Sequence, residues 1–205
     1  MATTAQSVAE VCAAARRAAR ALAQLDTITK NAALAAMADD LERRAPEVLE
    51  ANARDMEAGE QAGLHSGLLD RLELTEERLA GIASDVRAIA ALSDPVGQTI
   101  EGFRLANGLD VRRVRVPLGV VAVVYEARPN VTVDCSALCL KSGNAIVLRG
   151  SSTAAHSNTV LAQVASCPGT GRPVALRTVS SSCRVCPARM VSPYTAVGDG
   201  SCAGG

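Results

Sequence analysis

Apolar positions between residues 5 and 92 recur at helical spacing. Ser7 and Glu10 stand in capping-box spacing at the start of a stripe of Val8, Val11, Ala15, Leu22 and Leu25, which predicts a helix with one apolar side. A second helical run starts near Thr29 and carries Leu34, Met37, Leu41, Val48 and Leu49, with Pro46 kinking or dividing it. Gly59, Gly63 and Gly67 then break the pattern. Thr75 is placed to cap a further helix. Glu76 and Glu77 suit its first turn, Leu79, Ile82, Val86, Ile89 and Leu92 give its buried stripe, and Asp94-Pro95 stops it.

The period changes after residue 99. Residues 111–116 alternate like a half-buried strand behind the turn signal Asn107-Gly108. Residues 119–125 are almost uninterrupted valine, the pattern of a strand buried on both faces. A loop, Glu126 to Asn130, leads to a helix over about 132–142 closed by Gly143, then to a second apolar strand over 145–148 and a helix over about 153–164. Strand, helix and strand within so short a span predict a βαβ unit, so the fold class is α/β. The chain divides into a helical region (1–98), a partial sheet region (99–165) and a tail (166–205).

The tail changes the picture. It is rich in Gly, Ser, Pro, Cys and Arg, has one acidic residue and a single Leu, and keeps no helical or strand period. It therefore reads as irregular. Arg dominates Lys throughout and Ala is abundant, as in GC-rich coding sequence; a frameshifted or truncated end would have this tail's composition.

Charge narrows the function classes. Lys and Arg number 21 against 21 Asp and Glu, and only Phe103, Tyr125 and Tyr194 are aromatic, so neither the basic footprint nor the stacking platform of a nucleic-acid binder is present. No apolar run approaches the ~20 residues of a membrane span and no export signal is visible, which predicts a cytoplasmic protein with reduced thiols. Cys135 and Cys139, four apart on one helix, read as buried structural thiols, as does Cys12. Cys183-x-x-Cys186, with solitary Cys167 and Cys202, falls short of paired zinc-ligand spacing, and no metal site is expected. His65 and His156 stand alone and call for no chemical role.

In an open α/β sheet ligands bind beyond the carboxyl ends of the strands, which singles out the two loops after the apolar strands. Arg149, Gly150, Ser151 and Ser152 put a guanidinium, hydroxyls and free backbone N–H groups before a helix, the makings of an anion site for a nucleotide phosphate. The same residues could simply cap a strand end and a helix. Arg128 and Asn130 add an anion clamp and an amide able to hold an oxyanion, or form an ordinary Pro–Asn turn. Neither common glycine-rich nucleotide fingerprint is present.

Pro117 to Gly150, PLGVVAVVYEARPNVTVDCSALCLKSGNAIVLRG, resembles the gamma-glutamyl phosphate reductases (glutamate-5-semialdehyde dehydrogenases) of the aldehyde dehydrogenase superfamily. Gly67 to Gly97, the NGL of 107–109 and the HSN of 156–158 fit the same family, so the likeness covers most of residues 5–165. It implies an incomplete Rossmann-like sheet after a helical region, and NADPH-dependent reduction of L-glutamyl 5-phosphate to L-glutamate 5-semialdehyde in proline biosynthesis. Full-length members are expected to be homo-oligomers. By position, Arg149 with Gly150, Ser151 and Ser152 would contact NADP, while Arg128 and Asn130 would flank the substrate, Asn130 as an oxyanion contact.

Two departures stand out. RGSSTA replaces the family's RGGSEA, so Ser151 stands for Gly and Thr153 for a Glu able to contact ribose. The segment carrying the family's nucleophilic Cys before Asn-Ala does not follow residue 165, which makes a catalytically inactive fragment the alternative reading.

Overall fold

The computed structural model of the 205-residue chain describes residues 7–166 and the backbone of Leu176–Thr178. Helix α1 (Val8–Leu22) starts from the expected capping box: Ser7 N and Oγ donate to Glu10 Oε2 at 2.8 and 2.9 Å, and Glu10 N donates to Ser7 Oγ. The second run divides at Arg44 into α2 (Thr27–Arg43) and α3 (Ala45–Gln61). Pro46 sits in the first turn of α3, where its missing N–H breaks no helical bond. α2 starts before Thr29 because Asp26 caps it, accepting from Thr29 N at 2.7 Å.

Gly59 does not break the pattern; it lies within α3. A Cβ there would come within 3.0 Å of Leu64 Cδ1, so glycine lets the chain double back closely into α4 (Ser66–Leu72), which contains Gly67. Thr75 caps α5 (Glu76–Ala91) as expected, and Leu79, Ile82 and Val86 are buried, but Leu92 falls past the helix and is exposed.

Polar anchors hold the helices in register. Lys30, only 1% exposed, places Nζ 2.9 and 3.2 Å from the Asp94 carboxylate, which also accepts from Thr27 Oγ1 and Val96 N. Burial would raise the Asp94 pKa, but the bonds from Lys30, Val96 and Thr27 outweigh it and leave it below the ordinary value. A carboxyl lowered on folding stabilises fully above its unfolded pKa, about 3.9, and the contribution is lost as pH falls through the folded value. We predict that between about pH 5 and pH 2 the unfolding free energy falls less steeply in Lys30→Met than in the parent; equal slopes in urea titrations would remove Asp94 from the acid response.

Strands β1 (Thr99–Arg104) and β2 (Asp110–Val114) form an antiparallel hairpin closed by Gly108, φ +87. β2 is not half-buried as its alternation suggests: only Val111 is partly covered, because two strands alone give neither face a neighbour. Next come β3 (Val120–Val124), α6 (Asn130–Lys141), β4 (Ala145–Arg149), a 3₁₀ turn at Ser152–Ala154, α7 (Ala155–Ser166) and β5 (Leu176–Thr178). The expected βαβ unit is β3–α6–β4, and the parallel sheet has the order β3-β4-β5. α1 packs on all three strands, and α6 and α7 pack on β4 and β5.

Among the described residues β4 sits in the centre and is buried, but β3 is an edge strand with Val124 71% exposed, which corrects the expectation of burial on both faces. A run of valine reports strand propensity and does not say how many neighbours the strand has. β5 is one ordered strand inside the segment read as irregular; the rest of that segment, with Cys167, Cys183, Cys186 and Cys202, lies outside the described residues.

Candidate functional site

β3 and β4 run in register from Val120 beside Ala145 to Val124 beside Arg149, so both loops singled out from the sequence leave the same end of the sheet. The first turns through Ala127, a buried residue held at φ +44. Left-handed backbone at a residue with a Cβ costs of order 1 kcal/mol, and such strain concentrates where a loop must aim a side chain. The next residue is Arg128.

Asn130 is not in the loop but opens α6, and its Nδ2 donates to Asp134 Oδ2 at 3.0 Å. One amide proton is thus committed, and the other is free for a ligand. The second Asp134 oxygen, Oδ1, is buried without a hydrogen-bond partner among the described residues. Burial raises the Asp134 pKa, with nearby Asp85 adding to the effect against the lowering bond from Asn130.

Five of the six candidate residues line one of two clefts, and Gly150 lines neither. Arg128 and Asn130 line a cleft of about 340 Å³ with Asp70 and Arg71 from α4 and Arg78 and Asp85 from α5. Arg149, Ser151 and Ser152 line a different cleft of about 520 Å³ with Tyr125 and Glu126. The helical contributors to the first cleft were not singled out from the sequence. On a helix their charges look like any solvated face, and only the packing of α5 beside α6 gives them a shared cavity.

In the second cleft, Arg149 Nε is buried without a partner among the described residues. The two departures from the family's pattern form a pair. Ser151 Oγ lies 2.6 Å from Thr153 Oγ1 and accepts from Thr153 N at 3.1 Å, capping the 3₁₀ turn. Behind the cleft, Thr132 Oγ1 donates to Asn158 Oδ1 at 3.1 Å, so the Tyr125 hydroxyl, 2.5 Å away, must donate to Thr132. Gly150 passes over this chain so closely that a Cβ on it would collide with Asn158 Nδ2 and reach 3.1 Å from the Tyr125 hydroxyl.

The histidines and buried polar residues do have work, although it is not chemical. His65 Nδ1 accepts from Leu68 N and caps α4. His156 donates its backbone N–H to Asp55 and holds Nδ1 2.8 Å from the same carboxylate. Asp55 thereby caps α7 from across the fold, accepting from Ser157 N and Oγ as well.

Of the three thiols read as buried, Cys139 is buried and Cys135 half-buried, but Cys12 is exposed, because it lies on the solvent side of α1 away from the Val11, Ala15, Ala19 and Leu22 stripe. Desolvation pushes the Cys139 pKa up to about 11 and raises Cys135 as well. A thiol titrating near 11 is protonated at neutral pH and unreactive. Iodoacetamide at pH 7.5 is therefore expected to label Cys12 at least about tenfold faster than Cys139, read by peptide mass spectrometry; equal rates would contradict the burial. Among the described residues no three His, Cys, Asp or Glu side chains are placed to hold a metal ion, and no helix is long and apolar enough to cross a membrane.

A helical region leading into a parallel β3–α6–β4 unit, with an anion-suited cleft at the end of each strand, defines a class. The aldehyde dehydrogenase family model matches residues 1–176, and the chain belongs to that family. Within it, the chain is 53% identical over 150 residues to gamma-glutamyl phosphate reductase of Haemophilus influenzae (strain ATCC 51907 / DSM 11121 / KW20 / Rd), covering 73% of this chain and 36% of that protein. It is 57% identical over 151 residues to the enzyme of the same name from Vibrio atlanticus (strain LGP32), covering 74% and 36%. The crystal structure of gamma-glutamyl phosphate reductase from Thermotoga maritima superposes with a TM-score of 0.82 at 34% identity, covering 86% of this chain and 43% of that one. The Saccharomyces cerevisiae enzyme of that name gives 0.80 at 28% identity, covering 90% and 48%. The chain thus spans about a third of the length of the curated relatives it matches.

Proposed function

We propose that this chain carries the helical region and part of the cofactor sheet of a cytoplasmic reductase that converts L-glutamyl 5-phosphate and NADPH to L-glutamate 5-semialdehyde, phosphate and NADP in proline biosynthesis. The carrying observation is the identity above 50% to reductases of that name, within a family match that contains both clefts. The residues present fit a nicotinamide dinucleotide. Arg149 Nε, without a partner among the described residues, the Ser151 and Ser152 backbone and the constraint at Gly150 make a cleft that receives anions. A guanidinium there favours the cofactor that bears a 2′-phosphate. When bound, that cofactor supplies the hydride for the acyl carbon.

The chain's own residues then do three things. Arg149 fixes the cofactor anion, Arg128 attracts the acyl phosphate, and the free amide proton of Asn130 meets the oxygen that becomes negative as the acyl carbon is attacked. The covalent route also needs a poised thiolate, and the raised Cys135 and Cys139 are unsuited to supply one. Cys12 lies beside Gly119 and Val120 at the opposite end of β3 from both clefts, so among the described residues no thiol is placed for the reaction, which supports the second reading, that the chain by itself binds ligands without turnover.

The test is to titrate NADPH into the purified chain by fluorescence and to follow oxidation of the reduced nicotinamide with glutamyl phosphate. Binding weakened about tenfold or more by Arg149→Gln, with no turnover, is the expected result. Binding indifferent to Arg149 would refute the cofactor assignment. Turnover with covalent labelling of Cys135 or Cys139 would refute inactivity.

A further inference from the structure

The first cleft holds more charge than an acyl phosphate alone calls for, and its charges are not all used by the protein. Arg78 is fully committed: Nη1 donates to the carbonyls of Asp70 and Glu73 at 2.6 and 2.8 Å, and Nη2 donates to Asp70 Oδ1 at 2.8 Å. That takes Asp70 as well, with Glu73 3.9 Å from the same guanidinium. Three charged side chains remain without a hydrogen bond or ion pair among the described residues: the guanidiniums of Arg71 and Arg128, and the carboxylate of Asp85. They belong to three different elements. Arg78, Gly81, Ile82 and Asp85 repeat at helical spacing and present one face of α5 to the cleft.

From this surplus we propose that Arg71 and Asp85 form the subsite that recognises the α-carboxylate and α-ammonium of an L-amino acid, leaving Arg128 for the distal phosphate; this rests on the substrate reading given above. The charges match one to one. L-Glutamyl 5-phosphate carries one ammonium, one carboxylate and one phosphate dianion, and the unused groups are one carboxylate and two guanidiniums. The negative corner is reinforced from α6, since Asp134, close enough to Asp85 for their charges to repel, has a buried oxygen with no donor among the described residues. An ammonium beside Asp85 relieves that repulsion, which the protein alone leaves standing. Asn130, bonded to Asp134, joins the ammonium corner to the position of the acyl oxygen. A volume near 340 Å³ lies at the lower end of the range for small-ligand pockets, roughly 300–1,000 Å³, and suits a metabolite of this size.

The experiment is calorimetric titration of the full 205-residue chain with three non-hydrolysable ligands in which CH₂ replaces the anhydride oxygen: L-2-amino-5-oxo-6-phosphonohexanoate, its D enantiomer, and the desamino compound. The L compound is expected to bind at least about tenfold more tightly than the desamino compound, with the D enantiomer in between. Asp85→Asn should abolish that preference while changing desamino binding less than about twofold, and Arg71→Gln should weaken both L and desamino binding by about fivefold or more. Both side chains are exposed, so the variants should keep the parent's circular dichroism and melting temperature. Equal binding of L and desamino compounds, or a preference that survives Asp85→Asn, overturns the subsite and leaves the substrate reading intact. Failure of all three ligands to bind overturns both.

Discussion

Replacing Asp55 by alanine is expected to lower the unfolding free energy by about 3–4 kcal/mol, a large share of the 5–15 kcal/mol typical of a domain. Asp55 is 2% exposed and accepts four hydrogen bonds, from His156 N, the His156 ring, Ser157 N at 2.7 Å and Ser157 Oγ at 2.6 Å. The two backbone donors belong to the first turn of α7, which has no partner of its own for them. Asn52, one turn earlier on α3, extends the network. It donates to Leu72 O and Ser157 Oγ and accepts from Leu74 N, so α3, the end of α4 and the start of α7 share one buried junction. Truncation to alanine leaves the Ser157 N–H and hydroxyl buried and unpaired, which costs more than the bonds contribute net. Asp55→Asn keeps the shape and part of the acceptor capacity and should lose roughly half as much. Urea midpoints at constant slope measure both; a loss under about 1 kcal/mol for alanine would mean that water replaces the carboxylate, and the junction would not be what seats α7.

The second large effect is expected at Gly150. Alanine there must displace the Asn158 amide or the Tyr125 hydroxyl, and both are held through Thr132 to the start of α6. Overpacking of this kind costs about 1–3 kcal/mol, and the upper end applies because one of the obstructing groups, Asn158, is itself buried. The same displacement moves Arg149 and Ser151, so NADPH binding should weaken together with stability. Adding Asn158→Ala should restore part of the stability by removing the obstruction, although it gives up the bond from Thr132. A single Gly150→Ala variant as stable as the parent would disprove the close approach.

Much of this was legible in the chain itself, for local reasons. Capping by Ser7 and Thr75, the division at Pro46 and the βαβ unit over 120–149 depend on residues near one another in sequence, where propensity, caps and period act. Exposure was not legible, since the valines of β3 carry the signature of a central strand yet occupy an edge. Nor were the tasks of His156 and Asp55, which lie 101 residues apart and share no pattern until α3 and α7 meet.

The candidate site divides in the same way. Arg128, Asn130, Arg149 and Ser151 stand out because loops at the ends of parallel strands are where an α/β sheet binds ligands, a rule that needs only the order of elements. The chain alone was thus enough for most of the elements, their order and the two loops, though not for α4, β1 or β5, because hydrogen bonding along the backbone and the spacing of apolar side chains are short-range. Tertiary structure alone decided that these loops open into separate clefts, that Asp85 and Arg71 join the first, and that Arg149 in the second keeps a donor without a partner among the described residues. Charge pairing and burial depend on which distant surfaces meet, and no window of residues contains that information.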